Sequence, residues 1–310
     1  MSLGVSKKLD FPTALLHPRH WLTWLGVAAF APLAWLPWRT RRWLGMRIGT
    51  WIYQRNHKRR QVVLTNLRLC FPAWDEARRE QLTKQHFQEY ACALLDYSLL
   101  FFRPRGWLYQ RVKIQGGEHI DQAIAANQNV ILLVAHSVWL EFAGMGMGQS
   151  YRLQCFYKPF RNAVINWLVT CSRAKDAESL AAREEGMRKL VRALESGCLL
   201  FFLPDEDHGN KHSVFVPFFS ELKATLTTPM RLSKLGNAKA IPVMAYFDSK
   251  TGDYRIQVNP PLDNFSPDDP VEAATTMNAA LQNLIADDPK QYMWTLKLFR
   301  TRPAHQKSVY

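Results

Sequence analysis

The apolar and polar positions of this chain change period several times, and each change predicts an element. Trp21 to Trp38 carries no charge at all. A continuous helix over it, at about 1.5 Å per residue, would reach roughly 27 Å, close to one hydrocarbon thickness. It reads as a membrane span, with Pro32 and Pro37 leaving an interfacial hairpin or monotopic helix as the alternative. From 75 to 101 the apolar positions Leu82, Phe87, Tyr90, Leu94 and Leu95 recur at helical spacing. Then strand and helix patterns alternate. Val112 to Gln115 predicts a strand, Gly117 to Ala126 a helix and Val130 to Ala135 a buried strand, which together make a βαβ unit. Further strands are expected at Leu153 to Tyr157, Cys198 to Leu203, Ala240 to Phe247 and Tyr254 to Val258, with helices at roughly 160–172, 184–195, 225–235 and 270–286. Residues 250–253 read as a hairpin turn.

The expected fold is therefore α/β, a mostly buried mixed sheet flanked by helices, with an N-terminal membrane-anchoring helix. The chain divides into a tail (1–20), an anchor or span (21–38), a basic helical membrane-proximal region (39–105), an α/β domain (106–303) and a short C-terminal tail (304–310). At 310 residues it is long enough to bury a full core.

Charge narrows the partners. The formal net charge is +14, which favours anionic partners: phospholipid headgroups, an acidic protein or nucleic acid. Trp21, Trp24, Trp35, Trp38, Trp43 and Trp51 stand among arginines, a combination suited to the headgroup zone. Basic residues beside aromatics, as in Arg55 to Arg60 after Tyr53, would also suit single-stranded nucleic acid. Their place directly after the apolar segment makes a lipid-facing role simpler, so no nucleic acid is expected. Lys7, Lys8 and Arg19 precede that segment while Arg39, Arg41, Arg42, Arg47 and Arg55 follow it. On the positive-inside rule a span would leave the rest of the chain in the cytoplasm. The five cysteines show no CxxC spacing and fit free thiols in a reducing compartment.

The candidate chemistry begins at VILLVAHSVWLE. His136 follows a strand at its carboxyl end, where ligands gather in α/β sheets. Five residues along a helix advance about 500°, so Glu141 cannot share a helical face with His136. The two can meet only if His136 sits in the turn before the helix. Glu141 would then fix the imidazole tautomer and leave the other nitrogen as a general base. A cap or packed core histidine is the plainer alternative. No protein nucleophile accompanies it: Ser137 is adjacent in sequence and lies in no GxSxG, so the base would activate a substrate hydroxyl directly. GMGMG (144–148) comes too late after its strand for a dinucleotide turn and predicts close helix packing or a wall for an apolar ligand. LPDEDHG (203–209) places Asp205, Asp207 and His208 at another strand end. Even with His212 the spacing matches no standard zinc pattern, so no metal is expected. Hydrogen bonding to sugar hydroxyls, or orienting basic side chains, suits them better.

HSVWLE also has the His-x4-acid pattern of the lysophospholipid acyltransferase superfamily, and nearly the whole chain resembles the bacterial lipid A secondary acyltransferases. The residues that carry this are NLRLCFP (66–72), YKP (157–159) with Asn162, LPDEDHG (203–209), HSVFVPFF (212–219), KATL (223–226) and QYMW (291–294) with Lys297 and RTR (300–302). PDEDHG, KATL and the ending QYMWTLKLFRTR resemble the late-acting myristoyltransferase branch more than the lauroyl branch. That resemblance implies an inner-membrane enzyme with its catalytic domain facing the cytoplasm. A lauroyl or myristoyl chain would pass from acyl carrier protein to an acyl-chain hydroxyl of a Kdo-bearing lipid A precursor. It implies His136 and Glu141 as the catalytic pair and no cofactor. Substrate binding falls to Arg173, Asp205, Asp207, His208, Lys158 and Asn162. Arg173 is the candidate for the oxyanion or a phosphate, because a guanidinium fork fits both. Asp205 and Asp207 would orient that arginine or the acceptor. Two alternatives stand beside this one: a glycerophosphate-type acyltransferase, and a non-enzymatic lipid- or nucleic-acid-binding protein in which His136 and Glu141 are structural.

Overall fold

The computed structural model describes residues 10–157, 159–182, 187–304 and 306–310. Its strands are β1 (Val112–Gln115), β2 (Asn129–Val134), β3 (Leu153–Tyr157), β4 (Ser179–Ala182), β5 (Leu199–Phe202), β6 (Ser213–Phe218), β7 (Glu221–Leu226), β8 (Ala238–Phe247) and β9 (Tyr254–Val258). Seven of them form one sheet in the order β1-β9-β8-β2-β5-β3-β4. Only β8 and β9 run antiparallel in it, so the sheet is mixed, as the alternating pattern implied. β6 and β7 form a separate antiparallel hairpin.

Parallel strands need crossovers, and the helices between them cover both faces of the sheet. That is why β2 shows no polar alternation. Val130, Leu132 and Val134 enter one apolar core, while Ile131, Leu133 and Ala135 enter the other. Successive side chains of a strand point to opposite faces, so one uniformly apolar run feeds two cores.

The helices are α1 (Trp21–Phe30), α2 (Trp38–Arg55), α3 (His57–Cys70), α4 (Glu76–Phe102), α5 (Arg105–Tyr109), α6 (Glu118–Ala125), α7 (Leu140–Ser150), α8 (Ala163–Arg173), α9 (Met187–Glu195), α10 (Thr228–Leu235) and α11 (Pro270–Asp287). Asp75 caps α4 by accepting from Arg78 N at 2.7 Å. α2 lies against α4 because Gly45 and Gly49 present no side chain there. A Cβ at Gly45 would stand 2.6 Å from Cys92 Sγ, and one at Gly49 2.4 Å from Gln88 Cα. Buried ion pairs lock the contact: Arg41 with Asp96, which also accepts from Tyr254 Oη at 2.5 Å, and Arg42 with Glu89 at 2.7 Å.

Two expectations change. The uncharged stretch Trp21 to Trp38 is not one helix. α1 has ten residues, about 15 Å of rise. A 3-10 turn over Ala31–Trp35 with Pro32 near its start follows, and Pro37 precedes α2. Proline lacks the amide a continuing helix needs. Among the described residues no helix is long and apolar enough to cross a membrane. Sidedness inferred from flanking charge therefore loses its footing, since that rule compares the two ends of a span. Second, the helix expected from about 225 begins at Thr228–Pro229, because KATL completes β7. Proline is favoured in that first helical turn.

Candidate active site

His136 lies in the turn between β2 and α7, two residues beyond the strand, and Glu141 is the second residue of α7. Because β2 and β5 are parallel neighbours, the LPDEDHG loop that follows β5 arrives at the same sheet edge. There Asp205 takes the histidine from both sides. Its Oδ2 accepts from His136 N at 2.8 Å and its Oδ1 lies 2.5 Å from His136 Nδ1. Asp205 is 1% exposed. Burial alone would raise its carboxyl, but His136 and the nearby Lys223 ammonium outweigh that and hold it below the ordinary carboxylate range.

Sequence reasoning assigned this orienting contact to Glu141. The carboxylate of Glu141 is instead gripped by Arg173 at the end of α8, with Nε to Oε2 at 2.9 Å and Nη2 to Oε1 at 2.5 Å. This is a bidentate pair of the kind a planar guanidinium forms best. It revises two roles. Asp205 orients the histidine rather than the arginine, and the Nε/Nη2 edge of Arg173, which a phosphate would take, is filled by Glu141. Burial works against the charge of Arg173, yet Glu141 raises its pKa.

The turn itself is strapped from two directions. Val138 N donates to Gln291 O at 2.9 Å and Met293 N to His136 O at 2.7 Å, while the Gln291 side chain pairs with both backbone groups of Phe247 at the end of β8. QYMW thus acts as a brace. Ser137 is fully buried, and its hydroxyl donates to Ala245 O at 2.5 Å and accepts from Trp139 N at 3.0 Å. A hydroxyl so enclosed is a structural pin, which leaves the reaction without a serine nucleophile at this turn. Cys155 offers no substitute, since burial pushes its thiol up to about 12.

The remaining predicted residues disperse. Asp207 anchors the C-terminal segment, accepting from Thr301 N at 2.6 Å, Thr301 Oγ1 at 2.7 Å and Gly209 N at 2.9 Å. His208 Nε2 lies 3.8 Å from Glu206. Asn162 caps α8 through Val164 N and Ile165 N and donates to Thr23 Oγ1 of α1 at 3.1 Å. Its side chain therefore serves as a helix cap and a tie to the N-terminal segment, not as a free substrate ligand. Lys158 lies outside the described residues. One site residue was missed. Lys223 of KATL is fully buried, and burial pulls its ammonium down against the opposing pull of Asp205 and Asp207. A lysine in an ordinary strand pattern gives no sign of this, because its burial follows from where the β6–β7 hairpin docks.

Beside the pair of Glu141 and Arg173 opens a narrow cleft of about 60 Å³. Leu140, Met145, Phe201 and Leu203 supply apolar wall, and Arg105 and Asp176 add a second ion pair at 2.9 Å. An oriented imidazole with a buried carboxylate behind it is what activation of a hydroxyl needs, and the partly apolar cleft along α7 offers wall to an apolar group.

Comparison with known proteins points to one family. Residues 8–301 match the model of the family described as bacterial lipid A biosynthesis acyltransferase. A lipid A biosynthesis acyltransferase of Haemophilus influenzae is 34% identical over 97% of this chain and 95% of its own. The lipid A biosynthesis myristoyltransferase of Escherichia coli is 33% identical over the same shares, 97% and 95%, and the lauroyltransferase of that organism is 31% identical over 97% and 98%. From the ordered motifs, the strand-end histidine and this end-to-end match, the chain belongs to the bacterial lipid A biosynthesis acyltransferase family.

Proposed function

We propose that this acyltransferase moves a lauroyl or myristoyl chain from acyl carrier protein to the hydroxyl of an acyl chain already on a Kdo-bearing lipid A precursor. The observation that carries the reading is His136, held by buried Asp205 at the strand end that leads into α7, in a chain of this family. With Nδ1–H donated to Asp205, the Nε2 lone pair is the basic one. It takes the acceptor hydroxyl's proton as that oxygen attacks the thioester carbonyl, and the carbon–sulfur bond breaks as the tetrahedral intermediate collapses. The pantetheine sulfur leaves with little protonation help, since a thiol pKa is near 8.5. The pair of Glu141 and Arg173 braces the first turn of α7, which follows the histidine's turn, against α8 and forms part of the cleft wall. A surface of +14 suits an acidic carrier protein.

Acyl transfer from lauroyl- and myristoyl-acyl carrier protein to a Kdo-lipid A precursor tests this. Wild type transfers, and Glu141→Ala, which releases the first turn of α7 from Arg173 and so misplaces the turn that carries the base, is expected to fall by about 100-fold at equal folded stability. Transfer to glycerol phosphate esters alone would instead favour a glycerophosphate-type enzyme, and no transfer to any acceptor would end the catalytic reading.

The same proposal places the chain on the cytoplasmic face of the inner membrane, lying in the interface. Leu16, Trp21, Leu22, Leu25, Trp35, Trp43 and Trp51 are all exposed, Leu22 by 82%. Arg39 stands over Trp38 and Arg47 over Trp43, the mix of aromatic ring and cation that suits anionic headgroups. The triple variant Trp21→Ala, Leu22→Ala, Leu25→Ala is expected to lose at least 100-fold in partitioning to vesicles containing anionic phospholipid, at about 1.5 kcal/mol or more per buried side chain. Wild type that stays in the supernatant with such vesicles would refute the interfacial placement.

A further inference from the structure

The three glycines of GMGMG lie on one helix, α7, yet meet different surroundings. A Cβ at Gly146 would stand 2.4 Å from Ile256 Cδ1, and one at Gly148 2.1 Å from Asp176 O, so both positions are closed by packing. A Cβ at Gly144 would meet nothing within 4 Å, and Gly144 lines the cleft beside Glu141. The sequence left open whether this motif packs or forms a ligand wall, and the structure divides the two roles among its members.

The cleft's chemistry selects its occupant. Leu100, Leu140, Met145, Phe201 and Leu203 line it with Gly144. Its charged members meet each other, Arg173 with Glu141 and Arg105 with Asp176. Arg105 is further committed to Leu100 O at 3.0 Å and to Ser172 O at 2.6 Å. A phosphate of a carrier's prosthetic arm calls for a cation whose fork faces it, whereas an alkyl chain needs only space and apolar wall.

We infer that Gly144 sets the depth of this cleft for the donor's alkyl chain, so that the absent side chain at 144 is a determinant of acyl length. The inference rests on the acyl-transfer reading above. A methyl group added at 144 points into open space, so Gly144→Ala is tolerated by the fold, and alanine in place of a helical glycine favours the helix. Gly144→Leu occupies room that the last methylenes of a long chain would fill. Each methylene excluded from an apolar site is worth about fourfold, the equivalent of about 0.8 kcal/mol.

The test is kcat/KM for decanoyl-, lauroyl-, myristoyl- and palmitoyl-acyl carrier protein in wild type, Gly144→Ala, Gly144→Leu and the control Gly106→Leu. Gly106 also faces open space but lies on α5, outside the cleft lining. The Gly144→Leu preference should move at least two carbons shorter, with the myristoyl-to-decanoyl ratio falling about tenfold or more, Gly144→Ala intermediate and Gly106→Leu unmoved. Equal ratios in all four proteins, with melting temperatures preserved, would overturn the assignment of Gly144 while leaving acyl transfer intact. Wild type that transfers from none of the donors would overturn the acyl-transfer reading itself, and this inference with it. If Gly144→Leu fails to fold, Gly144→Ala alone decides, by whether its ratio moves towards the shorter donors.

Discussion

Asp205→Asn is expected to cut acyl transfer by about three orders of magnitude while leaving the fold in place. Asp205 holds His136 through two contacts, the ring Nδ1 at 2.5 Å and the backbone amide at 2.8 Å. Asparagine keeps an oxygen for the amide, and that amide can only donate. The amide nitrogen of the new side chain then faces Nδ1 as a donor, which forces the proton to Nε2 and removes the lone pair that should accept from the acceptor hydroxyl. The corresponding change in serine-protease triads, which alters tautomer more than geometry, costs about 10⁴. kcat/KM measured beside thermal unfolding separates the loss from misfolding. A loss under tenfold in a well-folded Asp205→Asn protein would show that Asp205 is not what sets the histidine's tautomer.

The second large effect concerns stability. Arg41→Met should lower unfolding free energy by about 3–5 kcal/mol, because it leaves the carboxylate of Asp96 buried without its cation. Asp96 is 5% exposed and Arg41 4%, and burial already raises the Asp96 pKa against the pull of Arg41. Adding Asp96→Leu removes the stranded charge, so the double variant should recover much of the loss and yield a coupling energy well above that of a surface pair. Urea unfolding of wild type, both single variants and the double variant measures this. Additive single changes would mean that the pair contributes nothing jointly. Tyr254 of β9 donates to the same carboxylate, so the network ties α2 and α4 to the sheet and any melting should be shared between them.

What was legible in the sequence and what was not divides on physical lines. β1, β3 and β9 match their expected boundaries, and β2, β5 and β8 lie within two residues of theirs, because strand content is written in local apolar runs and turn residues. β4 was missed: SLAA has four small or apolar residues, too short a run to stand out, and only pairing to β3 makes it a strand. The broken helix at 21–38 was signalled by Pro32 and Pro37, but lack of charge over the whole stretch argued more loudly for a span. At the site, the strand-end position of His136 was readable from a six-residue apolar run and a following turn. Its partner was not.

The sequence alone determined the family through its ordered motifs, the α/β alternation, the strand-end histidine and the basic, tryptophan-rich N-terminal region. Each of these is a property of neighbouring residues or of composition. Tertiary structure decided that Asp205 rather than Glu141 holds the imidazole, that Glu141 is committed to Arg173, that Lys223 is buried, and that one glycine of three faces open space. His136 and Asp205 stand 69 residues apart in the chain, and Glu141 and Arg173 stand 32 apart. Which of several nearby carboxylates reaches a given base depends on strand order and register, here β2 against β5, and no local pattern encodes that order.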